Sequence, residues 1–212
     1  MELERWSGVA RLTAYRGEAA RVRHLILESL LLLHVVPEPA SPVLDIGSGA
    51  GVPGLIVKLA RPAWEVRLVE ANRRRANFLR HAVRLLDLSG VAVYQARAEE
   101  LRATPSLGGG CGTVTMRAVA GPEVALALAR PFLRRDGHLI LPLGTKAWRG
   151  GGTVREVGVE QAPGTLPLQR RFLIIGASEL EAAVPRGTPG ARGTHLGRRE
   201  PEGGRGEDHD RR

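Results

Sequence analysis

Four glycines and two carboxylates carry the most legible chemistry in this chain. Gly47, Gly49, Gly51 and Gly54 follow the short apolar run Val43-Leu44-Asp45-Ile46, and Glu70 comes sixteen residues after the last of them. Such glycines let a backbone turn sharply and approach a ligand closely, since no side chain intervenes. The run 43–46 reads as a buried strand, and Leu55-Ile56-Val57-Lys58-Leu59-Ala60 as a helix. The glycines therefore sit at a strand-to-helix switch, where α/β sheets bind nucleosides. Arg67-Leu68-Val69-Glu70 reads as the end of the next strand. A carboxylate there can accept hydrogen bonds from both ribose hydroxyls, so these residues point to an adenosine-containing cofactor.

The glycine spacing is G-x-G-x-G, not the dinucleotide fingerprint G-x-G-x-x-G, and Asp45 stands two residues before the first glycine. A dinucleotide needs a helix N-terminus for its pyrophosphate. S-adenosylmethionine has no phosphate, and its ammonium and sulfonium favour a nearby carboxylate, which Asp45 supplies. The pattern resembles motif I of class I S-adenosylmethionine-dependent methyltransferases, with Gly49 and Gly51 beside the donor. That resemblance implies a Rossmann-like α/β fold with a mostly parallel seven-stranded sheet. The bland alternative is that Asp45 only caps the turn.

These residues need a scaffold, and the periodicity supplies one. Residues 18–36 carry Ala19, Val22, Leu25, Ile26, Leu30 and Leu33 at helical spacing, and Pro37, Pro39 and Pro42 end that helix. Asn72 is positioned to cap a helix whose apolar face is Ala76, Leu79, Ala82, Val83 and Leu86. Its other face carries Arg73, Arg74, Arg75, Arg80 and Arg84, either a phosphate-binding surface or a solvated face balanced by Glu65, Glu70 and Asp87. Residues 91–94, 112–116 and 137–141 read as further strands, with a helix over 122–133. Residues 153–159 and 171–175 then predict a C-terminal antiparallel hairpin turning near Pro163-Gly164. The expected organisation is a helical segment over 1–40, a cofactor-binding domain over 41–180 and a disordered basic tail over 185–212.

Composition narrows the partners. The net charge is +9, and only Lys58 and Lys146 among 31 basic residues are lysines. The segment 186–212 holds seven arginines against five acids, a net of +2. The first 185 residues thus carry the remaining +7, enough to feel a polyanion through counterion release. No run of eighteen apolar residues and no apolar leader is present, which predicts a cytoplasmic protein that does not enter a membrane. Cys111 is the single cysteine, which excludes an internal disulfide and any two-cysteine mechanism.

A wider set of segments carries a more specific resemblance. Arg23-His24-Leu25 and Glu28-Ser29-Leu30 precede the glycine loop, which ends in Gly51-Val52-Pro53-Gly54. Arg75 and Phe78-Leu79-Arg80, Ala96-Arg97-Ala98-Glu99-Glu100, and Met116-Arg117-Ala118-Val119-Ala120 follow in order. Over about residues 5–146 the chain resembles the bacterial small-subunit ribosomal RNA methyltransferase G family, also called glucose-inhibited division protein B. The resemblance implies methylation of a guanine ring nitrogen in small-subunit (16S) ribosomal RNA to 7-methylguanosine, with S-adenosyl-L-methionine as donor. It places cofactor contacts on Gly47, Val52, Ala98, Glu99 and Arg117, with Asp45, Gly49, Gly51 and Glu70 added by the reading of the loop. Arg117 is the expected positioning residue, and no general base is assigned. The chain departs from the family in Glu28 for an aspartate, Val119 for an aromatic, and the segment 7–13 for an Asn-rich one. The expected partner is the small ribosomal subunit or its RNA, met by a monomer. A small-molecule methyltransferase and a non-catalytic cofactor- or RNA-binding relative are the competing classes.

Overall fold

The computed structural model describes residues 2–117, 121–144, 148–159 and 167–180. Seven strands form one sheet in the order β3-β2-β1-β4-β5-β7-β6. They are β1 (Val43–Ile46), β2 (Val66–Val69), β3 (Val91–Tyr94), β4 (Cys111–Met116), β5 (Leu133–Leu143), β6 (Thr153–Val159) and β7 (Leu168–Gly176). The first five run parallel, and β7 is antiparallel to both β5 and β6. Every residue of β1 and β4 is buried, as befits central parallel strands covered on both faces.

Alternation along the strands feeds two cores. Val43 and Leu68 turn toward one face and join Leu55 and Val57 of α4 (Gly54–Ala60) and Phe78 and Leu79 of α5 (Arg73–Leu85). Leu44 and Val69 turn to the other and join Ala125, Leu126 and Ala129 of α6 (Pro122–Ala129). Asn72 caps α5 as expected, its side chain accepting from the Arg74 and Arg75 N–H groups at 2.9 and 3.2 Å. The N-terminal helix α1 (Glu2–Ala10) lies on α5, with the Trp6 ring 5.8 Å from that of Phe78.

Three sequence expectations need adjusting. The helix expected over 18–36 runs as α2 (Glu18–Arg21), a π-helical segment Val22–Leu27 and α3 (Glu28–Leu32). The helix expected to reach 133 ends at Ala129, a 3₁₀ turn takes Arg130–Phe132, and Leu133 already belongs to β5. Pro131 lacks the N–H that would continue the helix. The hairpin does add antiparallel strands, but β7 inserts beside β5 and leaves β6 at the edge. The turn at Pro163-Gly164 and the tail 185–212 lie outside the described residues.

Candidate functional site

The loop after β1 is built almost wholly from backbone. Gly47 and Ser48 donate to the Val69 carbonyl at 2.8 and 3.1 Å, and Gly51 and Val52 donate to the Ser48 carbonyl at 2.7 and 3.1 Å. Gly47, Gly49 and Gly51 have φ of 75°, 53° and 79°, the region that side chains resist. The glycines do different jobs. A Cβ at Gly49 would meet only the Gly47 carbonyl oxygen, at 3.8 Å, with open space beyond. A Cβ at Gly51 would fall 2.3 Å from Leu55 Cδ1, so Gly51 serves the packing of α4.

Above this loop lies a cavity of about 650 Å³. Gly47, Gly49 and Val52 line it, as do Glu70 at the end of β2, Ala98 and Glu99 after β3, and Arg117 after β4. Glu70 is 6% exposed, and both its oxygens accept backbone hydrogens, Oε2 from Gly49 N at 2.9 Å and Oε1 from Asn72 N at 2.8 Å. It therefore anchors the glycine loop to the start of α5 instead of balancing the arginine face of that helix. A carboxylate has about four lone-pair sites, so acceptor capacity toward the cavity remains. Glu99 is exposed on the 3₁₀ turn Ala98–Leu101. Arg75, expected on a phosphate-binding or solvated face, donates to the carbonyls of Ala10 and Arg11 at 3.3 Å each, closing the N-terminal segment over the rim.

Asp45 and Gly51 do not line this cavity. Asp45 is fully buried behind the loop, and its Oδ2 accepts from Gly54 N at 3.0 Å at the start of α4, while Oδ1 has no partner among the described residues. Burial pushes its pKa up to about 7, opposed by the Gly54 N–H and the Arg117 charge. The unfolded side chain titrates near 4. From about pH 4 to 7 the unfolded chain loses this proton while the folded chain keeps it, so stability falls as pH rises through that window. The contribution is fully present below the unfolded value and is gone above about 7; its size is on the order of a few kcal/mol. Asp45→Asn keeps an acceptor for Gly54 and removes the proton. Urea midpoints at several pH values are expected to lose this slope, and an unchanged slope would reassign it to other groups.

Arg117 faces a second, smaller cavity as well. Its Nη1 donates to the His24 carbonyl at 3.1 Å, and around it stand Tyr15, Glu28 and Arg170. Tyr15 stacks on His24 with centroids 4.5 Å apart at 15°. The structure thus brings Gly47, Gly49, Val52, Glu70, Ala98, Glu99 and Arg117 to one cavity. The sequence reading missed Tyr15, Arg97 and Leu128, which also line it. Arg97 stands inside the segment 96–100 but was given no role there, and no motif marks the other two; Tyr15 lies in a short polar connection whose only signal is an aromatic in an aromatic-poor chain.

The strand order, the antiparallel β7 and the cavity over the β1 loop define a Rossmann-like class I methyltransferase fold. The crystal structure of a SAM-dependent methyltransferase from Aquifex aeolicus superposes with a TM-score of 0.52 at 15% identity, over 82% of this chain and 97% of that one. The family model for rRNA small subunit methyltransferase G matches residues 1–148. Ribosomal RNA small subunit methyltransferase G of Roseiflexus sp. (strain RS-1) is 36% identical over 208 residues, covering 92% of this chain and 88% of the relative. That of Desulfotalea psychrophila is 44% identical over 136 residues, covering 62% of this chain and 60% of the relative. The chain belongs to the rRNA small subunit methyltransferase G family.

Proposed function

We propose that this chain is an S-adenosylmethionine-dependent methyltransferase that converts one guanosine of small-subunit ribosomal RNA to 7-methylguanosine. The observation that carries the reading is the pairing of a backbone-floored cavity with Glu70 at the end of β2, in a member of this family. The residues fit the donor on two counts. Gly49 leaves open room where a side chain would intrude. The start of α4 offers a pyrophosphate little, because Pro53 has no N–H, Gly54 N is taken by Asp45, and Leu55 N donates to the Gly51 carbonyl. This favours a phosphate-free ligand over a dinucleotide.

In this reading residues 41–180 form the cofactor-binding unit and residues 1–40 supply one wall of the site. Gly47, Gly49 and Val52 form the floor, Glu70 takes the ribose hydroxyls, and Ala98 and Glu99 meet the adenine amino group. When bound, S-adenosylmethionine supplies a methyl on a cationic sulfur, and transfer leaves the bond pair on sulfur and the charge on the acceptor. Guanine N7 has a free lone pair, so the chain needs to position and neutralise more than to abstract a proton. Arg117, between the two cavities, positions the methionine carboxylate or an RNA phosphate. Arg117→Ala is expected to lower kcat by about 10- to 100-fold with the thermal transition retained; turnover equal to wild type would remove Arg117 from the site.

The deciding experiment is transfer of a radiolabelled methyl to small ribosomal subunits from cells lacking this gene. Label confined to a single guanosine supports the proposal. No label, despite tight donor binding, favours a non-catalytic relative.

A further inference from the structure

The second cavity, of about 200 Å³, lies beside the first and shares Tyr15 and Arg117 with it. It is smaller than the roughly 300–1,000 Å³ typical of a drug-sized ligand site, a size suited to one planar ring system. Its lining is chemically specific. The Glu28 side chain, 18% exposed, is ion-paired with Arg170 and meets His24 Nδ1 at 2.6 Å, and both contacts fall on Oε1. Neither contact occupies Oε2, which keeps its acceptor sites for a ligand. Thr115 also lines the cavity, with its hydroxyl oxygen turned away from the open space.

We propose that this cavity receives the target base and that Glu28 selects guanine by its Watson–Crick edge. The inference rests on the function proposed above. Guanine presents two adjacent donors there, N1–H and the 2-amino group. Adenine and cytosine place a ring-nitrogen acceptor at the same position, and uracil flanks its single N–H with carbonyls, so each meets a carboxylate with like charge. The Arg117 guanidinium, with only Nη1 engaged by the His24 carbonyl, keeps donors suited to O6. In a purine N7 lies on the edge away from the 2-amino group. Holding that group at Glu28 therefore leaves N7 free to face the larger cavity. Gaining a methyl at N7 makes the purine cationic and its N1–H more acidic. The Glu28 carboxylate thus binds the base more tightly as the reaction proceeds, the condition for raising kcat and not merely affinity.

The test uses the full chain and RNA carrying inosine, which lacks the 2-amino group, in place of the modified guanosine. Wild type is expected to lose about 10- to 100-fold in kcat/KM on inosine. Glu28→Gln is expected to lose about 100-fold in kcat on guanosine, with KM for RNA little changed and binding of S-adenosylhomocysteine retained. The variant is also expected to lose no more on inosine, since the two changes remove the same contact. Equal wild-type rates on inosine and guanosine would overturn the inference while the methyltransferase reading stood, and that arm does not depend on any variant folding. Wild type that labels no guanosine would overturn both.

Discussion

Gly49→Val is expected to reduce affinity for S-adenosylhomocysteine by about 1,000-fold or more, because the substitution fills the space the ligand must enter. The direction is set by the backbone. Gly49 has φ of 53°, and the position a Cβ would take is open apart from the Gly47 carbonyl oxygen at 3.8 Å. Two methyl groups branching from that point project over the floor of the larger cavity. A β-branched residue in this left-handed region also carries strain of about 1–3 kcal/mol. That strain loosens the Gly49 N–H contact with Glu70, at 2.9 Å, and so disturbs the ribose wall as well. The core is not touched, so cooperative unfolding should persist with a lower midpoint. Calorimetric titration beside thermal denaturation checks both parts. Wild-type affinity in a folded variant would place the ligand elsewhere.

Glu70→Ala is expected to weaken the same binding by about 100- to 1,000-fold, as hydrogen bonds to a charged group are worth about 1.5–3 kcal/mol each. Two effects add. On the proposed reading the ribose hydroxyls lose their acceptor, and the loop loses its anchor, since one carboxylate ties Gly49 N to Asn72 N. Without it the glycine turn and the α5 cap no longer share a fixed point, and the floor of the site drifts relative to its wall. Stability should fall too, because two backbone donors near the sheet lose their partner. Affinity unchanged in Glu70→Ala would mean that no ribose is held at this strand end.

Part of this molecule is legible one segment at a time. The strand at 43–46, the glycine turn, the helix at 55–60 and the Asn72 cap each depend on neighbours within a few residues. Backbone conformation and capping are local needs, met by residue type at short spacing. The likeness of the cofactor loop to motif I was readable for that reason, and the seven-stranded class followed from that likeness. The uses of particular side chains were less so. Asp45 resembles a donor-facing carboxylate in the sequence but turns inward to Gly54. Gly51 resembles its neighbour Gly49 but is required by the Leu55 side chain.

Other features exist only because distant segments meet. Glu28 pairs with Arg170 across 142 positions, and Arg117 reaches the His24 carbonyl across 93. The insertion of β7 beside β5, leaving β6 at the edge, is what carries Arg170 to the small cavity. Alternation marks a strand but does not name its partner, since the same pattern suits either position in a sheet. Chain order therefore disclosed the kind of loop and most of the residues that line the larger cavity above it. Which residues face one another across the small cavity follows from packing, because contacts made through the folded sheet leave no periodic trace along the chain.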